Sequence, residues 1–122
     1  MHGREIRGRN GENMIVQQMF PPEGLDPDDD LHGDARLFSI WVIWRGKGKY
    51  SVQQYSGDGP QLSSAGNWSR WKPEPFQRHQ YRFTYDEACE WAEKLRGTLT
   101  INGRTYAQVL EWRAKLDAKE TA

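Results

Sequence analysis

The sequence is poor in the residues from which most recognisable active sites are built. It has one cysteine, Cys89, in 122 residues. A disulfide framework is therefore excluded, and a reducing compartment such as a cytosol is the expected setting. The histidines, His2, His32 and His79, form no close-spaced pair with one another or with Cys89. A zinc site needs converging ligands at ordered spacings, so no metal centre is expected. No serine stands in a G-x-S-x-G elbow. The glycine pairs Gly46/Gly48 and Gly57/Gly59 do not continue into a nucleotide-binding fingerprint and read as turns. An EF-hand counted from Asp26 would place Leu31 and Leu37 where the loop requires glycine and a bidentate acid. Long apolar runs are also missing: Leu37–Trp44 is too short to span a bilayer, and Met1–Asn13 lacks the apolar core of a signal peptide. These absences predict a protein with no catalytic residues, no cofactor and no membrane segment. It is expected to be a cytoplasmic binder and not an enzyme.

What is present is unevenly distributed. Apolar residues make up 36% of the chain and mean hydropathy is −0.94, so part of the chain is expected to lie outside the core. Basic and acidic residues balance at 17 each, so only their placement is informative. Between residues 14 and 34 the charges are all acidic: Glu23, Asp26, Asp28, Asp29, Asp30 and Asp34. Pro21, Pro22, Gly24 and Pro27 interrupt this stretch and exclude a regular element there. Residues 1–34 thus read as an irregular arm, flexible or ordered by a partner, with an acidic linker. Ile15, Val16, Met19 and Phe20 are apolar enough to add an edge strand. Residues 35–122 form the single domain, with 14 basic and 9 acidic residues.

Within that domain Leu37–Trp44 is rich in β-branched and aromatic residues. Phe38, Ile40, Val42 and Trp44 fall on one face, and Leu37, Trp41 and Ile43 on the other. A strand apolar on both faces is a central one, covered on both sides. Gly46-Lys47-Gly48 makes a hairpin loop, and residues 50–55 pair back, Tyr50 and Val52 alternating with Ser51 and Gln53. Residues 56–79 are loop-like, with short strands expected near Gln61-Leu62 and Ser69–Lys72, and Tyr81-Arg82-Phe83 reads as a last strand. Thr84-x-x-Glu87 and Thr105-x-x-Gln108 are capping boxes that open two helices. Tyr85, Ala88, Ala92 and Leu95 share a face of the first, which Gly97 ends. Val109, Leu110, Trp112 and Leu116 make the second amphipathic. Between them, Thr98–Ile101 is a short strand before an Asn102-Gly103 turn. Cys89 lies among helical apolar positions and reads as a small core residue. Glu87, Glu90 and Glu93 read as a solvated helix face. The fold class is α+β: an antiparallel sheet of three to five strands, with two helices packed on one face.

The unusual feature is aromatic content interleaved with positive charge. From residue 45 to 82 there are seven basic residues against Asp58 and Glu74, and among them stand Tyr50, Tyr55, Trp68, Trp71, Phe76 and Tyr81. Tryptophan and arginine together make protein–protein hot spots, and aromatics beside cations make single-strand nucleic-acid platforms. The bland alternative, core packing, carries equal weight for most of these aromatics. Trp68 and Trp71 lie in a polar, proline-flanked loop and are expected to be exposed. The candidate partner-binding residues are Trp68, Arg70, Trp71, Lys72, Phe76 and Arg78.

The aromatic hairpin Trp41–Tyr55, the loop Gly66-Asn67-Trp68 with Pro73 and Pro75, and the helix start Arg82-Phe83-Thr84 with Glu87-Ala88 form a pattern. It resembles that of small bacteriophage and plasmid accessory proteins, over under half of the chain. That resemblance implies a non-enzymatic accessory protein that binds another protein, in the host cytoplasm if phage-encoded. Trp68-Ser69-Arg70 is also similar to the Trp-Gly-Arg signature of the WGR domain, a DNA-contacting module. Its middle glycine is replaced here by Ser69, and the glycine expected shortly after is missing. This second resemblance implies nucleic-acid binding as the alternative.

Overall fold

The structure, a computed structural model, describes residues 2–7, 13–23, 34–54, 59–69 and 72–121. Four strands form one antiparallel sheet in the order of the chain: β1 (His2–Arg7), β2 (Asn13–Phe20), β3 (Ile40–Gly46) and β4 (Lys49–Gln54). The helices are a single turn, α1 (Asp34–Leu37), then α2 (Tyr85–Leu95) and α3 (Tyr106–Thr121), with a 3-10 helix at Pro75–Tyr81 before α2. The fold is α+β, as the sequence pattern predicts.

The strand that is apolar on both faces is flanked by β2 and β4. Gly46-Lys47-Gly48 turns it back through three consecutive residues at positive φ, a conformation that glycine enters without a Cβ clash. The sheet begins further upstream than an arm ending at residue 34 would allow. β2 pairs with β3 through Gln17↔Ile43 to Phe20↔Ile40, and Met19 and Phe20 are buried. Ile15–Phe20 thus adds a strand to the sheet, but an interior one, because β1 pairs along its other side and takes the edge. The physical reason is that two large apolar side chains, once paired on β3, leave water. Arg96 Nε donates to the Pro21 carbonyl at 3.0 Å and ties the end of β2 to the end of α2. Residues 24–33, which hold most of the acidic linker, lie outside the described residues.

One face of the sheet carries the main core. Phe20, Ile40, Val42, Tyr50 and Val52 pack there with Leu62, Phe83, Ala88, Ala92 and Leu99. The two alanines bring α2 close to the sheet. Each fully buried Val, Ile or Leu contributes about 1.5–3 kcal/mol. The Thr84 capping box is formed: Glu87 N–H donates to Thr84 Oγ1, and Thr84 N–H to Glu87 Oε1 at 2.9 Å. At α3, Thr105 N–H donates to Gln108 Oε1 at 2.8 Å, completing the second box.

α3 differs from the expected second sheet-covering helix. Its first turns bury Tyr106 against Phe38, with Val109 and Leu110 beside them. Trp112 and Leu116 remain exposed. Trp112 falls about a third of a turn from the Tyr106 stripe at 3.6 residues per turn, and Arg104 covers its ring at 5.5 Å instead.

The expected short strands near Gln61-Leu62 and Phe83 appear as isolated bridges along the outer edge of β4. Gln61 bridges Gln53, and Phe83 bridges Tyr50. Of the strand expected through Tyr81-Arg82-Phe83, Tyr81 closes the 3-10 helix, Arg82 is extended and Phe83 alone pairs with Tyr50. Ile101 makes a single bridge to Arg104 around the Asn102-Gly103 turn.

Candidate functional site

The strict alternation of side chains along extended backbone builds the site. At three places near β4 an apolar residue and a polar one are adjacent in sequence. Trp44, Leu62 and Phe83 turn into or against the core under α2. Their neighbours Arg45, Gln61 and Arg82 line a concavity of about 310 Å³ with Gly59, Lys72, Pro73 and Arg78. β3, the 60–62 edge segment and the residue pair before α2 thus each supply one apolar anchor and one polar group.

A buried polar row on the second face of the sheet braces this concavity. Ser51 and Gln53 alternate with Tyr50 and Val52, and neither is exposed. Arg45 Nε donates to Ser51 Oγ at 3.0 Å, and Arg45 Nη2 donates to Gln53 Oε1 at 2.5 Å. Ser51 Oγ also donates to Gln53 Oε1 at 2.9 Å. With its oxygen so engaged, Gln53 has Nε2 buried without an acceptor among the described residues, and the indole N–H of its cross-strand neighbour Trp41 is in the same state. Arg82 Nη1 donates to Gln61 Oε1 and to the Tyr81 carbonyl, each at 2.9 Å.

The concavity is cationic. Arg45, Lys72, Arg78 and Arg82 line it, and no carboxylate is among its described lining residues. Of the two acids in residues 45–82, Glu74 is exposed and does not line it, and Asp58 lies outside the described residues. Burial lowers the pKa of Arg45, and the charge of Arg78 lowers it further. Burial likewise lowers that of Arg82, followed by the charges of Arg45 and Arg78. A guanidinium stays charged at neutral pH despite such shifts. The shifts record burial first and mutual repulsion second, and a bound anion would relieve the repulsion.

The residues expected at a partner surface separate into four groups. Lys72 and Arg78 are exposed and belong to the concavity. Phe76 is 75% exposed on the 3-10 helix that carries Arg78. Trp68, expected to be exposed, is half-buried and packs against the core. Its loop folds back on itself: Ser63 N–H donates to the Asn67 carbonyl and Gly66 N–H to the Ser63 carbonyl. A Cβ on Gly66, at φ 87°, would stand 2.7 Å from the Trp91 ring. The Gly66-Asn67-Trp68 motif is therefore a packing device. Arg70 and Trp71 lie outside the described residues. Arg45, Arg82, Gln61 and Gln53 were not singled out by the sequence pattern. The adjacent pairs Trp44-Arg45, Gln61-Leu62 and Arg82-Phe83 carry the signal that finds them.

Elsewhere the chemistry is muted. Cys89 is half-buried against the core, and burial raises its pKa, leaving the thiol protonated at neutral pH. His79 is exposed on the 3-10 helix. Among the described residues no group of His, Cys, Asp or Glu is placed to hold a metal ion, and no helix is long and apolar enough to cross a membrane. No family model matches the chain, and neither a curated protein nor a solved structure is similar to it.

Proposed function

We propose that this chain is a small non-enzymatic binding protein of the cytoplasm whose ligand is single-stranded nucleic acid. The observation that carries the reading is the convergence of Arg45, Lys72, Arg78 and Arg82 on one concavity with no described carboxylate in its lining. Phosphate oxygens are acceptors only, and arginine forks match them in geometry and charge. Phe76, exposed on the same 3-10 helix as Arg78, supplies a face on which a base stacks. The half-buried state of Trp68 weighs against a protein hot spot anchored on that residue. A partner protein is the second reading, favoured by the exposed Trp112 and Leu116 of α3. An accessory role, as in the phage and plasmid proteins the sequence resembles, accommodates strand binding directly.

The test is an anisotropy titration of a short labelled oligodeoxythymidine. Alanine at Lys72 and Arg78 together is expected to remove most of the affinity. Phe76→Ala is expected to cost about 1–3 kcal/mol, the worth of one stacked base. Wild-type affinity in both variants would sink the proposal. Capture of a protein by nuclease-treated wild type, lost on Trp112→Ala, would move the function to the second reading.

A further inference from the structure

We infer that the concavity seats a phosphomonoester, the phosphorylated end of a strand, rather than a phosphodiester within it. This rests on the strand-binding reading above and narrows it. Two of the guanidiniums are already held in place. Arg45 is fixed through Nε and Nη2 by Ser51 and Gln53, and Arg82 is fixed through Nη1 by Gln61 and the Tyr81 carbonyl. Nη1 of Arg45, and Nε and Nη2 of Arg82, have no partner among the described residues. Ordering these side chains on a ligand therefore costs little further entropy. Arg78 acts on both through its charge, and Lys72 lines the same concavity.

The local groups are in excess as donors. Besides the cations, the buried Nε2 of Gln53, on the amide that fixes Arg45, has no acceptor among the described residues. A ligand suited to such a place brings acceptors and more than one negative charge. A phosphodiester carries a single charge on two free oxygens. A phosphomonoester carries about −1.5 to −2 charges at neutral pH and three terminal oxygens. Four cations around one concavity match the second better than the first. The volume of about 310 Å³ equals roughly ten waters at their liquid share of ~30 Å³. That is room for a phosphate group with its hydration. No aromatic side chain is among its described lining residues, and Phe76 offers a stacking face beside it on the helix that carries Arg78.

The test compares decamers of identical sequence, labelled internally, that carry a 5′-phosphate, a 3′-phosphate or hydroxyls at both ends. Adenosine monophosphate and inorganic phosphate serve as competitors. A phosphorylated end is expected to bind about tenfold tighter than the unphosphorylated strand, the effect of one or two added charge-assisted hydrogen bonds. The advantage should disappear in Lys72→Gln/Arg78→Gln, whose residues are exposed and whose melting should match wild type. Equal affinity for phosphorylated and unphosphorylated strands overturns the inference and leaves strand binding standing. Binding of the monophosphate or free phosphate without any strand retains the phosphomonoester seat and overturns the strand reading. No binding of any probe overturns both.

Discussion

The two faces of this sheet are made from the same strands by alternate residues, and they do opposite things. On the α2 side Val42, Val52, Ile40 and Phe20 are apolar, and the buried Gln18 beside Val42 has its oxygen answered by the Tyr85 hydroxyl. On the other side Ser51 and Gln53 are just as buried, but hold a guanidinium in place and leave donor groups unanswered. The first face supplies stability. The second supplies stability through Met19 and Trp41 but gives some up at Gln53, since a buried donor without an acceptor costs about 1–3 kcal/mol, and in return its polar row positions charge. Burial alone therefore does not separate scaffold from site here. The distinction lies in which side of each strand a residue takes.

The largest effect is expected at Val42, which is fully buried on the α2 side. Val42→Asp places an unpaired carboxylate among apolar side chains and should abolish cooperative thermal unfolding in a circular-dichroism melt. Trp41→Ala, on the opposite face, should cost about 3–5 kcal/mol in a denaturant titration. Wild-type melting of both would show that β3 is not the centre of the core.

A milder break is Gly66→Ala. Its positive φ and its approach to Trp91 predict a loss of about 1–3 kcal/mol. A neutral result would show that the loop under Trp68 shifts freely. Substitution of the exposed cation Arg78 by alanine sharpens the comparison from the other side. Stability should stay within about 0.5 kcal/mol of wild type, or rise slightly at low salt as Arg45 and Arg82 lose a repulsive neighbour. Strand affinity should fall. A large loss of stability instead would make the cationic face structural.

The smallest effect is at high pH. The Tyr85 hydroxyl donates to Gln18 Oε1 on the core face, and its pKa is pushed up to about 12, burial being the largest cause and a hydrogen bond with Cys89 the next. A phenol whose folded pKa lies above its unfolded value of about 10 contributes stability below that value. The contribution is lost as pH rises toward the folded pKa. Tyr85→Phe should therefore flatten the decline in melting temperature between about pH 10 and pH 12, though Tyr50, also raised, keeps part of it. An unchanged decline would remove Tyr85 from the account.

Much of the scaffold was legible in the sequence because local rules decided it. Both capping boxes, the Gly46-Lys47-Gly48 turn, the Ala88/Ala92 face of α2 and the central place of the Leu37–Trp44 run follow from spacing and residue type, although the strand starts only at Ile40 and Leu37 closes α1. The inward turn of Trp68 was not legible, since its polar neighbours suggest exposure. Only the contact of Gly66 with Trp91 and the bridge to Leu62 explain it. The burial of Ser51 and Gln53 was hidden for a related reason: alternation tells which side they take, not whether that side is covered. Arg45 and Arg82 are 37 residues apart in sequence. They meet only because Trp44 and Phe83 share a core.

Salt dependence of single-strand binding distinguishes phosphate contact by this face from every other use of it. For single strands the slope of log K against log salt is about −0.7 per phosphate neutralised. Wild type should give a slope of about −2 to −3 for three or four cations in contact with phosphate, and Lys72→Gln/Arg78→Gln should be shallower by about 1.4. A slope near zero, or one that the double substitution leaves unchanged, would contradict the assignment of this face to phosphate.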